Sequence, residues 1–388
     1  VRVVIVGAGI GGLAAAALLS RGGHRVTVVE AARELGEVGA GIQMSPNGTR
    51  ILNRLGLASS AREIGCTPDR IVIRRWQNDA ELMTMPMGPL AVERWGEPYY
   101  SMYRPDVIDI LSRCCEDVDI RLGSRIVSVD VDAPSVTLHD GETITADVVV
   151  GADGIHSTVR TSAFGPQPTR FSGFVAYRAL VPRADVDDLP VEVTNRVGPD
   201  AHIVSYFVGR DRRFLNLVCI YEDTTWDVES WNEPGDPDDL RLRFADWSPS
   251  VRRVLERVRE PVYRWALHDR EPLPRWSRGA TTLLGDACHP MVPFMAQGAC
   301  QALEDAAALV DAFSHHADPR SAIADYEARR RPRTAEIQRR SFANATTYHL
   351  HDGEGQEQRD SAYRAASSRG ADGLAAFDWL YGHPEVQV

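Results

Sequence analysis

The first thirty residues, "VRVVIVGAGIGGLAAAALLSRGGHRVTVVE", constrain this chain more than any other stretch. A β-branched run, Val3–Val6, breaks at a glycine turn, continues as the alanine-rich Leu13–Leu19 and returns to a second apolar run, "RVTVVE". Apolar runs of this kind, bounded by glycine, fit parallel strands buried on both faces. The order strand, glycine turn, helix, strand, acid is what a dinucleotide requires. Gly7 permits the turn, Gly9 lets backbone approach a pyrophosphate, and Gly12 lets the helix pack on the strand. The helix N-terminus presents free N–H groups and a partial positive charge to the phosphates. Glu30, 18 residues after Gly12, closes the second strand, where a carboxylate can accept ribose hydroxyls. The glycines do not say which dinucleotide.

Composition narrows the class. Formal net charge is −11 over 388 residues, which argues against nucleic acid or an anionic membrane as a partner. The Arg-rich "EARRRPRTAEIQRR" (residues 327–340) reads as a solvated helix face. Six cysteines are scattered without ligand spacing, and the opening strand lacks the basic and apolar regions of a signal peptide. No apolar run approaches the ~20 residues of a membrane span. The expectation is a cytoplasmic protein with reduced thiols. Lysine is absent, so all 43 basic residues counted as Lys or Arg are arginine.

Two later segments add to the opening motif. "ADVVVGADGIHSTVR" is a strand breaking at Gly151 and Asp153 into a helical start; plain turn chemistry of Asp and Gly explains it as well as a ligand does. "TTLLGDACHPMVPFMAQGACQALEDA" is a strand that ends at Asp286. An acid at the carboxyl end of a strand in an α/β sheet lies where ligands bind, and Asp286 can hold a second polyol. Beyond it, Pro293 can lie against a flat ring while the Gln297, Gly298 and Ala299 amides meet the ring's polar edge. The low bulk of this turn makes room for a large group on the backbone.

Together the three segments resemble the aromatic-ring hydroxylases, the single-component (class A) flavoprotein monooxygenases. "GEVGAGIQMSPNGTRIL", "YRPDVIDIL", "FSGFVAYRALVP", "DREPLPRWSRG" and "FDWLYG" are similar to the branch of 6-hydroxynicotinate 3-monooxygenase, 3-hydroxybenzoate 6-hydroxylase and salicylate hydroxylase. The likeness covers nearly the whole chain. It implies FAD held by the loop glycines including Gly11, by Glu30 with Ala31, Gln43, Arg104, Ile126 and Asp286, and by the Gln297–Ala299 turn, with Asp153 in the second segment. Arg104 also makes independent sense, because a guanidinium opening the helix "RPDVIDIL" can bridge pyrophosphate oxygens. No second GxGxxG is present, so NADH or NADPH would dock transiently, with Arg160 as a contact. The implied fold class is α/β: a Rossmann-like FAD-binding domain with an inserted mixed or antiparallel β-sheet substrate domain, p-hydroxybenzoate hydroxylase-like, and C-terminal helices. The boundaries read as 1–72, 100–170 and 276–345 for the FAD domain, 73–99 and 171–275 for the substrate domain, and 346–388 for a helical tail. "HDGEGQEQRD" reads as an exposed turn in that tail, and "EDTTWDVESWNEPGDPDDL" as an acidic surface loop.

"GPDAHIVSYFV" carries His202 and Tyr206, whose even spacing puts both on one face of a strand. Their Cα atoms would lie about 13 Å apart at ~3.3 Å per residue, a span that brackets a six-membered ring. The resembled enzymes carry a His and a Tyr at this spacing beside the substrate hydroxyl; the plainer reading is two side chains packing on a sheet face. A His can take a ring-hydroxyl proton at neutral pH, which enriches the ring for attack by a flavin C4a-hydroperoxide. Gln43 stands where the 6-hydroxynicotinate enzyme has His, and Val193 where it has Cys, which weighs against that substrate. His289 reads as structural or flavin-side, with no metal. Without lysine, an arginine, an amide or a His must anchor a substrate carboxylate. The function implied is hydroxylation, with or without decarboxylation, of a small hydroxyaromatic or hydroxypyridine carboxylic acid with NAD(P)H and O2, by a monomer or homodimer. The alternatives are a hydroxylase of a larger phenolic secondary metabolite and a non-enzymatic dinucleotide-fold binder. A halogenase is disfavoured by the missing lysine.

Overall fold

In the computed structural model, which describes residues 1–36, 40–225 and 233–383, the glycine-loop unit lies at the centre of a parallel sheet. Among the described residues, five strands pair in the order Thr281–Leu283, Val148–Gly151, Arg2–Val6, Arg25–Val29 and Asp119–Arg121. Val3–Val6 and Val148–Val150 are buried on both faces, as their uninterrupted apolar character requires. Helix Ile10–Arg21 packs against helix Gly298–His315 on one side of the sheet. Gly7 has φ +104°, and a Cβ on Gly12 would lie 2.0 Å from the Gly7 carbonyl oxygen, so neither position admits a side chain.

The second large sheet runs Tyr263–Asp269, Arg170–Pro182, Phe214–Glu222, Ala201–Val208, Val193–Gly198, Arg70–Arg75, Glu81–Pro86. It is antiparallel except where Val193–Gly198 pairs with Arg70–Arg75, which makes it mixed. One face carries Tyr177, Ile203 and Leu217 against the short helices Pro237–Arg243 and Pro249–Leu255. The other carries Phe174, Ala176, Val218 and Ile220 toward the first domain.

Three drawn boundaries cut through elements; the break after residue 170 clips the first residue of strand Arg170–Pro182. The break after residue 72 falls inside Arg70–Arg75, which belongs to the second sheet by its pairing with Val193 onward. The break after residue 345 falls inside helix Pro319–Tyr348. That helix continues because one of its faces is tied along its length. Gln338 donates to the Pro290 carbonyl, Ser341 to Val292, and Asn344 and Tyr348 to Phe294, a spacing of three to four residues that keeps the donors on one face.

Three surface readings change. The Arg-rich stretch is not a solvated face throughout: Arg330 is 1% exposed and ion-paired in the core, because the facing helix buries Glu304 and Asp305 opposite it. Only the start of "HDGEGQEQRD" is a turn, since Glu354–Ser367 is helical with Gly353 preceding it. In the acidic loop, residues 226–232 lie outside the described residues and Pro237–Arg243 is a helix capped by Asp236. All six cysteines are free thiols, and no helix among the described residues is long and apolar enough to cross a membrane.

Candidate active site

The loop after the first strand opens on a groove of about 460 Å3. Gly7, Gly9, Gly11, Gly12, Glu30, Ala31, Arg104, Ile126, Asp153, Asp286, Gly298 and Ala299 all line it. The Glu30 carboxylate accepts the Ala8 amide at 2.7 Å and the Ala32 amide at 2.8 Å, so it is fixed at the tip of its strand. The Asp153 carboxylate accepts from Ser157 Oγ (2.5 Å) and from the Thr158 and Val159 amides (2.7 and 3.1 Å). It therefore takes up the first amides of helix Thr158–Phe164, whose N-cap is Ser157, while still bordering the groove. Arg160 does not face a docking surface. It is buried, and its guanidinium donates to the Ala287 and Ile155 carbonyls at 2.9 and 2.8 Å. It straps the Asp-Gly segment to the Asp286 turn and is not available to a nicotinamide.

A chamber of about 360 Å3 adjoins the groove, lined by Gln43, His202, Tyr206, Pro293 and Gln297 among others. Arg104, Asp286, Gly298 and Ala299 border both spaces, with Ile42. Groove and chamber thus form one extended cleft with Asp286 at the junction. Burial pushes the Asp286 carboxyl up, opposed by His289 and Arg104.

Buried polar groups hold this junction. His289 Nε2 lies 2.5 Å from Asp305 Oδ2, which also accepts the Gly285 amide at 3.0 Å. Asp305 and Glu304 share Arg330, and Arg333 reaches Glu304 at 2.8 Å. His289 is therefore structural. Cys288, His289 and Asp305 come within ligand distance of one another, but the carboxylate is committed to Arg330, His289 and the Gly285 amide. The Gln297 side chain turns into the same network, donating to Ser45 Oγ at 2.9 Å and accepting from Asn47 at 3.0 Å. Ala296 adopts φ +52° immediately before it. Helix Gly298–His315 has no side-chain cap, so its first-turn amides are free to meet a ligand at the junction.

His202 and Tyr206 both face the chamber from strand Ala201–Val208. Burial pushes the Tyr206 hydroxyl up to about 12 against the opposing pull of Arg178 and of a hydrogen bond from Gln43. Gln43 also accepts the Tyr99 hydroxyl. Its side chain thus sits between two phenols in the chamber and does not line the groove. Gly41 allows this approach, since a Cβ there would lie 2.7 Å from the Tyr206 ring and 2.5 Å from Asn216 Cγ. Burial, reinforced by His349, holds the His202 imidazolium well below the usual histidine range. The partner is direct: His202 Nδ1 to His349 Nε2 is 2.7 Å.

Two residues escaped the sequence reading, Arg178 in the chamber wall and His349 behind it. Arg178, 4.8 Å over the Trp265 ring, lines the chamber; it was visible as the one charge in the apolar run "FVAYRALV". His349 was hidden in a segment read as tail, and nothing local to "TTYHLHDG" places it beside His202.

The cleft suits an extended flavin dinucleotide. A Cβ on Gly9 would meet nothing within 4 Å, so that residue fronts open space, and helix Ile10–Arg21 leaves its first amides without a side-chain cap for a pyrophosphate. Asp286 suits a polyol passing the junction, and Pro293 with the Gln297–Ala299 turn suits a planar ring. The family model described as "FAD binding domain" matches residues 1–341. The chain belongs to this FAD-binding family. It is 38% identical over 395 residues to a 3-amino-4-hydroxybenzoate 2-monooxygenase of Streptomyces platensis, covering 100% of this chain and 97% of that protein. It is 37% identical over 350 residues to a 6-hydroxynicotinate 3-monooxygenase of Bordetella bronchiseptica, covering 88% and 91%. The structure of Klebsiella pneumoniae HpxO with FAD and uric acid superposes with a TM-score of 0.83 at 26% identity, over 97% of each chain. The flavoprotein is thus an FAD-dependent monooxygenase of the aromatic hydroxylase class, as its motifs implied, with the α/β architecture of that class.

Proposed function

We propose that this flavoprotein hydroxylates a small hydroxyaromatic or hydroxypyridine carboxylic acid, with NADH or NADPH as reductant and O2 as oxidant. The observation that carries the reading is the pairing of His202 and Tyr206 on one chamber wall, with Arg178 on the neighbouring part of the same sheet. The chamber is shared between the Pro293–Ala299 turn, which suits the flavin ring, and the His202–Tyr206 wall, which faces the substrate.

Loop glycines, Glu30, Arg104, Asp286 and the Gln297–Ala299 amides would hold the FAD. When bound, FAD supplies the redox chemistry, accepting electrons from the nicotinamide and activating O2 for transfer of one oxygen atom. The chain's own groups prepare the ring. Neutral at physiological pH, His202 accepts the proton of the ring hydroxyl and raises electron density ortho and para to it; a positioned base of this kind contributes roughly 10²–10⁴-fold. Tyr206, protonated at every working pH, donates to and orients the same oxygen. Arg178 pairs with the carboxylate, the role a lysine-free chain leaves to arginine. Apolar walls from Ile71, Met85 and Val218 exclude water. Decarboxylation accompanies hydroxylation where the attacked carbon bears the carboxylate. The six free thiols support a reducing, cytoplasmic setting.

The test is oxidation of NADH and NADPH against a panel of hydroxybenzoates, aminohydroxybenzoates, hydroxynicotinates and larger phenols, with product analysis. The reading expects coupled hydroxylation of a monocyclic carboxylated member. Coupling only with polycyclic phenols, or none with any compound, refutes it.

A further inference from the structure

Behind His202, away from the chamber, lies a chain of proton-carrying groups that the chemistry above does not use. His202 Nδ1 is 2.7 Å from His349 Nε2, and His349 Nδ1 is 3.4 Å from Glu222 Oε1. Both imidazoles are buried, at 1% and 5% exposure, while the Glu222 side chain is 47% exposed. His349 and Glu222 line a depression on the outer surface together with Asp200 and His351. His202 lines the chamber. The line His202–His349–Glu222 therefore runs from the reaction space to solvent through otherwise apolar packing, with Phe174 5.2 Å from the His349 ring and Phe294 5.0 Å from the His202 ring.

We propose that His349 and Glu222 form with His202 a relay that carries the substrate's hydroxyl proton from the chamber to the surface, and that Glu222 sets the tautomer of both imidazoles. The proposal rests on the hydroxyaromatic reading of the substrate. The hydrogen-bond logic has one consistent direction. An ionised Glu222 only accepts, so His349 donates from Nδ1 and its Nε2 is left with a lone pair. That lone pair accepts from His202 Nδ1–H. His202 Nε2 is then unprotonated and is the basic atom available to the chamber. A carboxylate that fixes a tautomer two rings away gives Nε2 the form a general base needs.

The step balances. The substrate O–H bond breaks as an Nε2–H bond forms on His202. His202 Nδ1–H breaks as His349 Nε2–H forms, and His349 Nδ1–H breaks as the proton passes to the Glu222 carboxylate and then to water. No electron pair leaves the relay, and the reverse sequence returns a proton when the product hydroxyl is re-protonated. The charged and titratable groups around the relay fit transit better than storage. Asp200 and His351, 2.8 Å apart, sit at the outer mouth, and the Glu222 and Asp200 backbones are tied by the Glu222 amide at 2.8 Å. Tyr348 flanks His202 with ring centroids 5.3 Å apart. Burial holds the imidazolium form of His349 down to about 4 and that of His202 well below its usual range, so neither ring retains the proton at neutral pH. His349 and Glu222 are positioning residues, since they act through His202.

The test mixes holoenzyme with 3-hydroxybenzoate, 3-amino-4-hydroxybenzoate or 6-hydroxynicotinate in weak buffer containing a pH-indicator dye. Proton release is followed by stopped flow, and binding is followed separately by flavin absorbance. The wild-type protein should release a proton on binding. Glu222→Gln and His349→Ala should slow that release and turnover by at least about tenfold, with flavin spectrum and ligand Kd nearly unchanged. Added imidazole should restore His349→Ala saturably, an effect that a merely structural histidine would not show. Wild-type release rates in both variants overturn the relay, as does a slow His349→Ala that imidazole leaves slow while Glu222→Gln is normal. If His349→Ala does not fold, the half-exposed Glu222→Gln decides alone: slowed release supports the relay and normal release ends it. Absence of proton release from the wild-type protein with every probe would instead refute the hydroxyaromatic substrate, and the relay with it.

Discussion

Arg330 Nη1 lies 2.5 Å from Glu304 Oε2 and its Nε 2.7 Å from Asp305 Oδ1, with all three side chains at 0–1% exposure. Burial alone would raise the Glu304 carboxyl, but Arg330 and Arg333 outweigh it and hold it at about 2. Removing the cation leaves two buried carboxylates with one remaining arginine between them, Arg333, which reaches Glu304. Arg330→Met should therefore cost about 3–5 kcal/mol, read as a lower urea midpoint at unchanged slope. It should also weaken FAD retention, since Asp305 supports the Gly285 amide and His289 beside Asp286. A midpoint shift worth less than about 1 kcal/mol would show that Arg333 and Asn47 suffice.

How much of this was legible follows from how local each signal is. The glycine turn, Glu30 and Asp286 were legible because their chemistry is set by a strand end and the next few residues. His202 and Tyr206 were legible because a strand's period of two fixes their common face. Arg330 was misread because charge-run statistics describe surfaces, and what buries it is a pair of acids 25 and 26 residues earlier on another helix. Gln43, assigned to the cofactor by likeness, lines the chamber with the Pro293–Ala299 turn, and what the sequence did not show is that its side chain also meets Tyr99 and Tyr206 through a ribbon, Gly41–Met44 with Tyr100–Tyr103, tied to Asn216. His349 needed a 30-residue helix to deliver it 147 residues away from its partner.

Tyr206→Phe tests the phenol. Because burial keeps the hydroxyl protonated, the side chain supplies a hydrogen bond and not a negative charge. Losing that bond to a developing phenolate should lower kcat by about 10–100-fold, in line with ~1.5–3 kcal/mol for a hydrogen bond to a charged group. FAD content and substrate Kd should stay close to wild type. Full turnover at saturating substrate would remove Tyr206 from the chemistry.

Arg178→Gln tests the carboxylate anchor. The substitution should raise KM for a carboxylated substrate by about 10–100-fold with a smaller effect on kcat. The matching phenol without a carboxylate should bind both proteins equally. An equal KM penalty for both ligands would mean that Arg178 shapes the chamber wall through Trp265 and does not read the acid.

Acid stability separates the buried histidines from the buried acids. Unfolded, His202 and His349 titrate near ~6.5; folded, burial holds His349 at about 4 and His202 well below its usual range. Between these values the unfolded chain binds protons that the folded chain refuses, so stability is fully present above pH ~6.5 and falls as pH drops toward 4. The His349 share amounts to about 3 kcal/mol at most, from ~1.36 kcal/mol per pKa unit. Glu304 contributes in a lower window, with stability present above the unfolded value near ~4.3 and lost as pH falls toward 2. Urea midpoints measured at pH 7.5, 5.5 and 4.5 should decline in the wild-type protein. His349→Gln cannot take up a proton in either state, so its decline over the same interval should be shallower. A variant that loses as much stability as the wild-type protein between pH 7.5 and 4.5 would show that His349 is hydrated enough in the folded state to protonate normally.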